Sequence, residues 1–119
     1  MNEITQERFF KAARLFKSLA HPLRLAITCG LRGRPCTQTY MSEVLGIPQS
    51  TVAQHLKVLR SEGIVKCERN GLEVVFSLAD PVVPQMLDTL CRRADKRSDS
   101  VYTWEELAEI EKERRVTGV

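Results

Sequence analysis

The chain of 119 residues contains no long hydrophobic run. Nothing in it approaches the roughly 18 consecutive apolar residues of a membrane-spanning helix. The opening segment, Met1 to Arg8, is polar and lacks the apolar core of a secretory leader, so a cytoplasmic location is expected. Histidine is scarce, with only His21 and His55. The four cysteines, Cys29, Cys36, Cys67 and Cys91, are far apart and form no CxxC pair. That spacing argues against a structural zinc site, and the expected compartment argues against a disulfide framework. A Gly-rich phosphate loop is missing, and no cysteine has a histidine near it in sequence. An enzyme is therefore not expected; neither catalytic residues nor a cofactor are assigned. Internal repeats, low-complexity stretches and linkers are also missing, which leaves one main domain.

What is present suits a folded, mildly basic domain. Hydrophobic residues make up 43% and charged residues 28%, which does not suit a disordered chain. The formal net charge is +3, unevenly spread. Residues 21–79 carry seven Lys/Arg against four Asp/Glu, whereas residues 80–119 carry seven against nine. A basic centre suits phosphate contact, although so small a surplus is weak evidence on its own.

Periodicity organises the first half into four helices. Phe9, Ala13, Phe16 and Ala20, with Phe10 beside them, recur at helical spacing from about Thr5 to Leu19. Pro22 suits the first turn of a second helix, where its missing N–H has no partner to lose. Leu23, Ala26, Ile27, Gly30 and Leu31 make that helix's apolar stripe, and residues 32–35 read as a loop that leads to Cys36. A short third helix near Thr37 to Leu45 stops at Gly46, and Pro48 opens a fourth two residues later. Val52, Leu56 and Leu59 face inward along it. Two helices about a Gly-containing tight turn form a helix-turn-helix, which offers its second helix to the major groove of DNA. Gln49, Ser50 and Thr51 sit at that helix's N-terminus, where free N–H groups favour anions. Gln54 has the donor–acceptor pair to read adenine, and His55 and Lys57 suit phosphate.

The next segment alternates as two strands, Ile64–Glu68 and Glu73–Leu78, with Cys67 expected in the core. Asn70-Gly71 between them is a strong signal for a type I′ hairpin. A hairpin after a recognition helix is a wing, from which Lys66, Arg69 and Asn70 reach phosphate or the minor groove. Asp80-Pro81 then starts a helix striped by Val83, Met86, Leu87, Leu90 and Ala94. Residues 96–100 read as a loop. Thr103 and Glu106 fit a capping box for a final helix, which Trp104 anchors to the body. The expected fold is mainly α with a β-hairpin wing: a winged helix-turn-helix of order αααα-ββ-α plus an extra C-terminal helix. Residues 1–95 are expected to form the DNA-binding and dimerisation domain, and residues 96–119 a helical extension.

Two stretches, Phe16 to Leu25 and Gly46 to Arg60, resemble the ArsR/SmtB family of bacterial and archaeal regulators. So do Ser61 to Val65 and Ser77 to Pro81, and the likeness covers residues 10 to 95. It implies a homodimer formed by the first and post-wing helices. It also implies binding to a palindromic operator on double-stranded DNA, with release by an inducer. The family's thiolate metal site on the third helix would fall on Thr37, Thr39 and Ser42, with Cys36 out of register. Its zinc site on the post-wing helix needs histidines that this helix lacks, so no metal site is expected. Another branch senses persulfides or oxidants through one cysteine in the second helix and one in the post-wing helix. Cys29 matches the first position, and Cys91 lies one turn before the second. Two readings of these thiols stand: a redox switch, or small buried hydrophobes. The function expected is a transcriptional repressor. The alternatives are a winged-helix protein-interaction module without DNA, or a regulator that answers a small molecule or metal at another site.

Overall fold

The computed structural model describes the backbone of residues 1–94 and 103–117, and the side chains of residues 1–90, 103–109 and 112. Helix α1 spans Glu3–Leu19, α2 Pro22–Gly33, α3 Gln38–Leu45 and α4 Gln49–Ser61. A two-residue strand β1, Cys36–Thr37, precedes α3. Strands β2, Val65–Asn70, and β3, Glu73–Leu78, follow α4, and then come α5, Val82–Ala94, and α6, Trp104–Thr117. The chain is thus a winged helix-turn-helix with an added C-terminal helix, as the periodicity indicated.

The helix starts follow from local chemistry. Asn2 caps α1 through a hydrogen bond from Thr5 N–H, and Thr37 caps α3 by accepting from Tyr40 N–H at 3.2 Å. His21 caps α2, its Nδ1 accepting from Leu23 N–H at 3.1 Å, with Pro22 at the first helical position. Asp80 accepts from Val82 N–H ahead of α5, and Thr103 accepts from Glu106 N–H ahead of α6. One core joins these elements. Ile27, Met41, Val52, Leu59, Ile64 and Val83 are fully buried, each contributing about 1.5–3 kcal/mol. Trp104 brings α6 into that core at 0% exposure, its Nε1–H donating to the Arg34 carbonyl at 3.2 Å.

Four sequence expectations change. Cys36 lies in a strand, not a loop: β1 pairs with β3 (Cys36 opposite Phe76), giving the antiparallel order β1-β3-β2. Two residues are too few to show alternation. The wing turn is shifted by one: Asn70 still pairs with Glu73, so the central residues are Gly71 and Leu72. Gly71 has φ 66° and, among the described residues, no non-glycine residue has positive φ, which is the type II′ pattern with glycine first, not type I′ on Asn70-Gly71. Cys67 is half-buried, at the margin of the core. Finally, the aromatic stripe of α1 is uncovered, with Phe9, Phe10 and Phe16 at 62%, 67% and 63% exposure. Burial within α1 is confined to its last turn, at Ser18 and Leu19.

Candidate nucleic-acid interface

The turn between α3 and α4 is built from three interactions. Gly46 closes α3 in the left-handed conformation, φ 66°, which a side chain would oppose. Its N–H and that of Ile47 donate to the Ser42 carbonyl, and Ser42 Oγ donates to the Ile47 carbonyl at 2.6 Å. Gln38 Nε2 then donates to the Gln49 carbonyl at 3.0 Å, bracing the first turn of α4 from α3. Pro48 stands at the N-cap of α4 with no side-chain cap, its carbonyl accepting from Thr51 and Val52 N–H. The N–H groups of Gln49 and Ser50 therefore stay available to an anion at the positive end of the helix.

Burial divides α4 cleanly. Val52, Leu56 and Leu59 hold it to the body, whereas Gln49, Ser50, Gln54 and Lys57 form an exposed polar face. Thr51 is half-buried at the margin of that face. His55 turns away from it: its ring lies 4.4 Å from that of His21, and Arg24 Nη1 approaches its Nδ1 at 3.4 Å. Burial pushes the His55 imidazole below its ordinary value, and His21 and Arg24 push it the same way. Arg60 was missed by sequence reasoning. It stands exposed one turn beyond Lys57 and lines with it a cleft of about 480 Å³ between α4 and Phe76 of β3. The 53, 57, 60 spacing was the available signal.

The register of the hairpin separates the three wing residues. Lys66 and Asn70 lie opposite Ser77 and Glu73 on one face, together with Glu68. Arg69 lies opposite Val74 on the other face, the one that carries Cys67 and Phe76 toward the core. Leu72, fully exposed, forms the tip. Glu68 and Glu73 offset part of the positive charge, so the wing contributes shape together with a small electrostatic term.

The sulfur and hydroxyl positions are equally specific. At the family's thiolate positions the donor set does not fit a soft metal. The hydroxyls of Thr37 and Ser42 are hard oxygen donors already used in the α3 cap and the turn. Cys36 is buried, and burial pushes its thiol up to about 12, with Arg34 pulling only weakly the other way. Cys36 and Cys67 flank Phe76 from the two outer strands, roughly 10 Å apart at sheet spacing and out of disulfide reach. Cys29 is 8% exposed in α2, on a helix tied to α5 by the Arg32–Asp88 ion pair at 2.5 Å. Cys91 lies in the last turns of α5, and its side chain falls outside the described residues.

A polar, N-terminally open helix set beside a β-hairpin defines a winged helix-turn-helix protein. Comparison with known proteins agrees. Residues 21–66 match the family described as bacterial regulatory protein, arsR family. The HTH-type transcriptional regulator NmtR of Mycobacterium tuberculosis is 41% identical over 78 residues, 66% of this chain and 65% of its own length. The transcriptional repressor PagR of Bacillus anthracis is 38% identical over 79 residues, 66% of this chain and 79% of its own. The structure of reduced HlyU from Vibrio cholerae superposes with a TM-score of 0.70 at 29% identity, over 78% of this chain and 97% of that one. The chain belongs to the arsR family. It spans 51–65% of the length of the first curated relatives it matches.

Proposed function

We propose that the chain is a cytoplasmic, DNA-binding transcriptional repressor that acts as a homodimer on a palindromic operator. The observation that carries this reading is the exposed polar face of α4, open at its N-terminus and flanked by the wing. Gln49, Ser50, Thr51 and Gln54 meet base edges and phosphates, and Lys57, Lys66, Arg69 and Asn70 hold the backbone. PagR is called a transcriptional repressor, which supports the same sign of regulation here.

The homodimer is supported by the uncovered apolar face. Phe16 of α1 and Leu90 of α5 stand exposed at a depression of about 600 Å³ lined also by Leu19, Leu25 and Met86, and Phe9 and Phe10 are exposed further along α1. Apolar surface on that scale marks an interaction site. A dimer that engages one operator would need its two α4 helices about 34 Å apart, one turn of DNA. Residues 1–95 carry both tasks, and residues 96–119 form an extension that α6 fastens to α2 and α3.

Release from DNA is assigned to oxidation of Cys29 with Cys91, which lie on two packed helices. An Sγ–Sγ bond forms while two protons and two electrons pass to hydrogen peroxide, which leaves as two waters. Intact and peptide mass after peroxide treatment tests this step, and absence of a Cys29–Cys91 cross-link removes it.

The experiment for the main reading is binding to the DNA fragment upstream of the chain's own coding sequence at two salt concentrations. Affinity should fall steeply with salt. It should also fall in the folded triple variant Gln49→Ala, Thr51→Ala, Gln54→Ala. Unchanged affinity in that variant removes the reading.

A further inference from the structure

Three elements meet at the His21-Pro22 step. His21 Nδ1 accepts the Leu23 N–H and caps α2. Arg24 Nη1 approaches His55 Nδ1 at 3.4 Å, and since a guanidinium can only donate, the contact suits a neutral His55 ring. Arg24 is itself held by α1, its Nε donating to the Ser18 carbonyl at 2.5 Å. The end of α1, the first turn of α2 and the middle of α4 are thereby tied at one point.

We propose that His21 is a positioning residue of the DNA-binding surface: by capping α2 and packing against the His55 ring it fixes the recognition helix, and the hold is tightest while the His55 imidazole is neutral. The proposal rests on the DNA-binding reading above. Protonated His55 would set a cation against Arg24.

Among the described residues, the groups that act on His55 are His21, the N-cap of α2, and Arg24 within α2. The neighbouring charge on α1, Arg14, is engaged at 3.7 Å with Glu62 at the end of α4. The sign follows. The folded chain holds His55 below its ordinary value, so the unfolded chain takes up the proton first as pH falls through about 6.5. Stability of the junction is full above that value and is lost as pH drops through the lower, folded one. A histidine that simply touched phosphate would do the reverse, since protonation adds positive charge and tightens binding to DNA.

The test combines DNA affinity against pH with imidazole titration by NMR in the free protein. One proton shed per protomer weakens binding by at most about tenfold per pH unit for each protomer engaged, and we expect at least about threefold loss between about pH 7 and pH 5.5. His21→Asn keeps a capping oxygen but loses the ring that packs against His55. It should bind better than His21→Ala above neutrality, and His55→Asn should flatten the acid loss. Affinity that rises or stays level on acidification in the parent overturns the proposal, as does an undiminished acid loss in His55→Asn. The NMR arm needs no DNA: the His55 imidazole should titrate below about 6.5, and a value at or above that overturns the tie. If the DNA fragment is not bound at any pH, the DNA-binding reading fails, and the NMR titration of His55 alone decides whether the junction holds a neutral ring.

Discussion

Replacing Gly30 with alanine should destabilise the protein, against the ordinary rule for helices. In the middle of an exposed helix that change stabilises by about 0.5–1 kcal/mol, because glycine loses more backbone freedom on folding. Gly30 is buried in the interior of α2 and faces the indole of Trp104. A Cβ placed there would lie 2.6 Å from Trp104 Cε3, with other ring atoms as near. The ring cannot yield by rotating a flexible end: it is fully buried and held by its hydrogen bond to the Arg34 carbonyl. Overpacking of this kind costs about 1–3 kcal/mol, and complete expulsion of the ring would forfeit the about 3–5 kcal/mol of a buried aromatic. The net expectation is a loss of about 1–3 kcal/mol, with the Trp104 emission shifted toward that of solvated indole. Trp104 is the only tryptophan in the chain, so urea unfolding followed by fluorescence reads both quantities in one sample. A Gly30→Ala protein that is more stable than the parent, with emission unchanged, would mean that α6 does not dock over Gly30.

Two further outcomes follow from burial. With its thiol pushed up to about 12, Cys36 should resist iodoacetamide at pH 8, where roughly one molecule in ten thousand is thiolate. Half-buried Cys67 should be labelled first; peptide mapping that finds the two labelled at equal rates in the folded protein contradicts the placement of Cys36. Phe16→Glu puts a carboxylate into the uncovered α1–α5 face, so sedimentation should show a monomer where the parent is a dimer, and a parent that sediments as a monomer removes the assigned interface.

The helices and wing were legible because their signals are local and redundant. Pro22 after a capping residue, Gly46 in the left-handed conformation, and the Thr103–Glu106 cap each fix an element within a few residues. What was not legible depends on partners distant in sequence. β1 exists only because Cys36 and Thr37 meet Phe76 and Val75, about forty positions away by the register. The turn type was misread because Asn-Gly signals a hairpin without specifying which two residues are central, and the Asn70–Glu73 pairing decides that. Within the candidate interface, period alone put His55 on the DNA face with Gln54. Its contact with His21, 34 positions earlier, turns it to the body. Arg69 and Lys66, grouped together by charge, are divided by the two-residue period of the strand.

These long-range contacts converge on α2, and that gives the helix its mechanical role. Its N-terminal end is bound to α4 through the tilted His21–His55 ring contact and Arg24. Its last turns are bound to α6 through Gly30 beneath Trp104 and to α5 through Arg32 and Asp88. Between them Ile27 and Leu31 are buried in the shared core. A helix of 12 residues buried along its middle thus joins these contacts, so the recognition helix, α5 and α6 share one support.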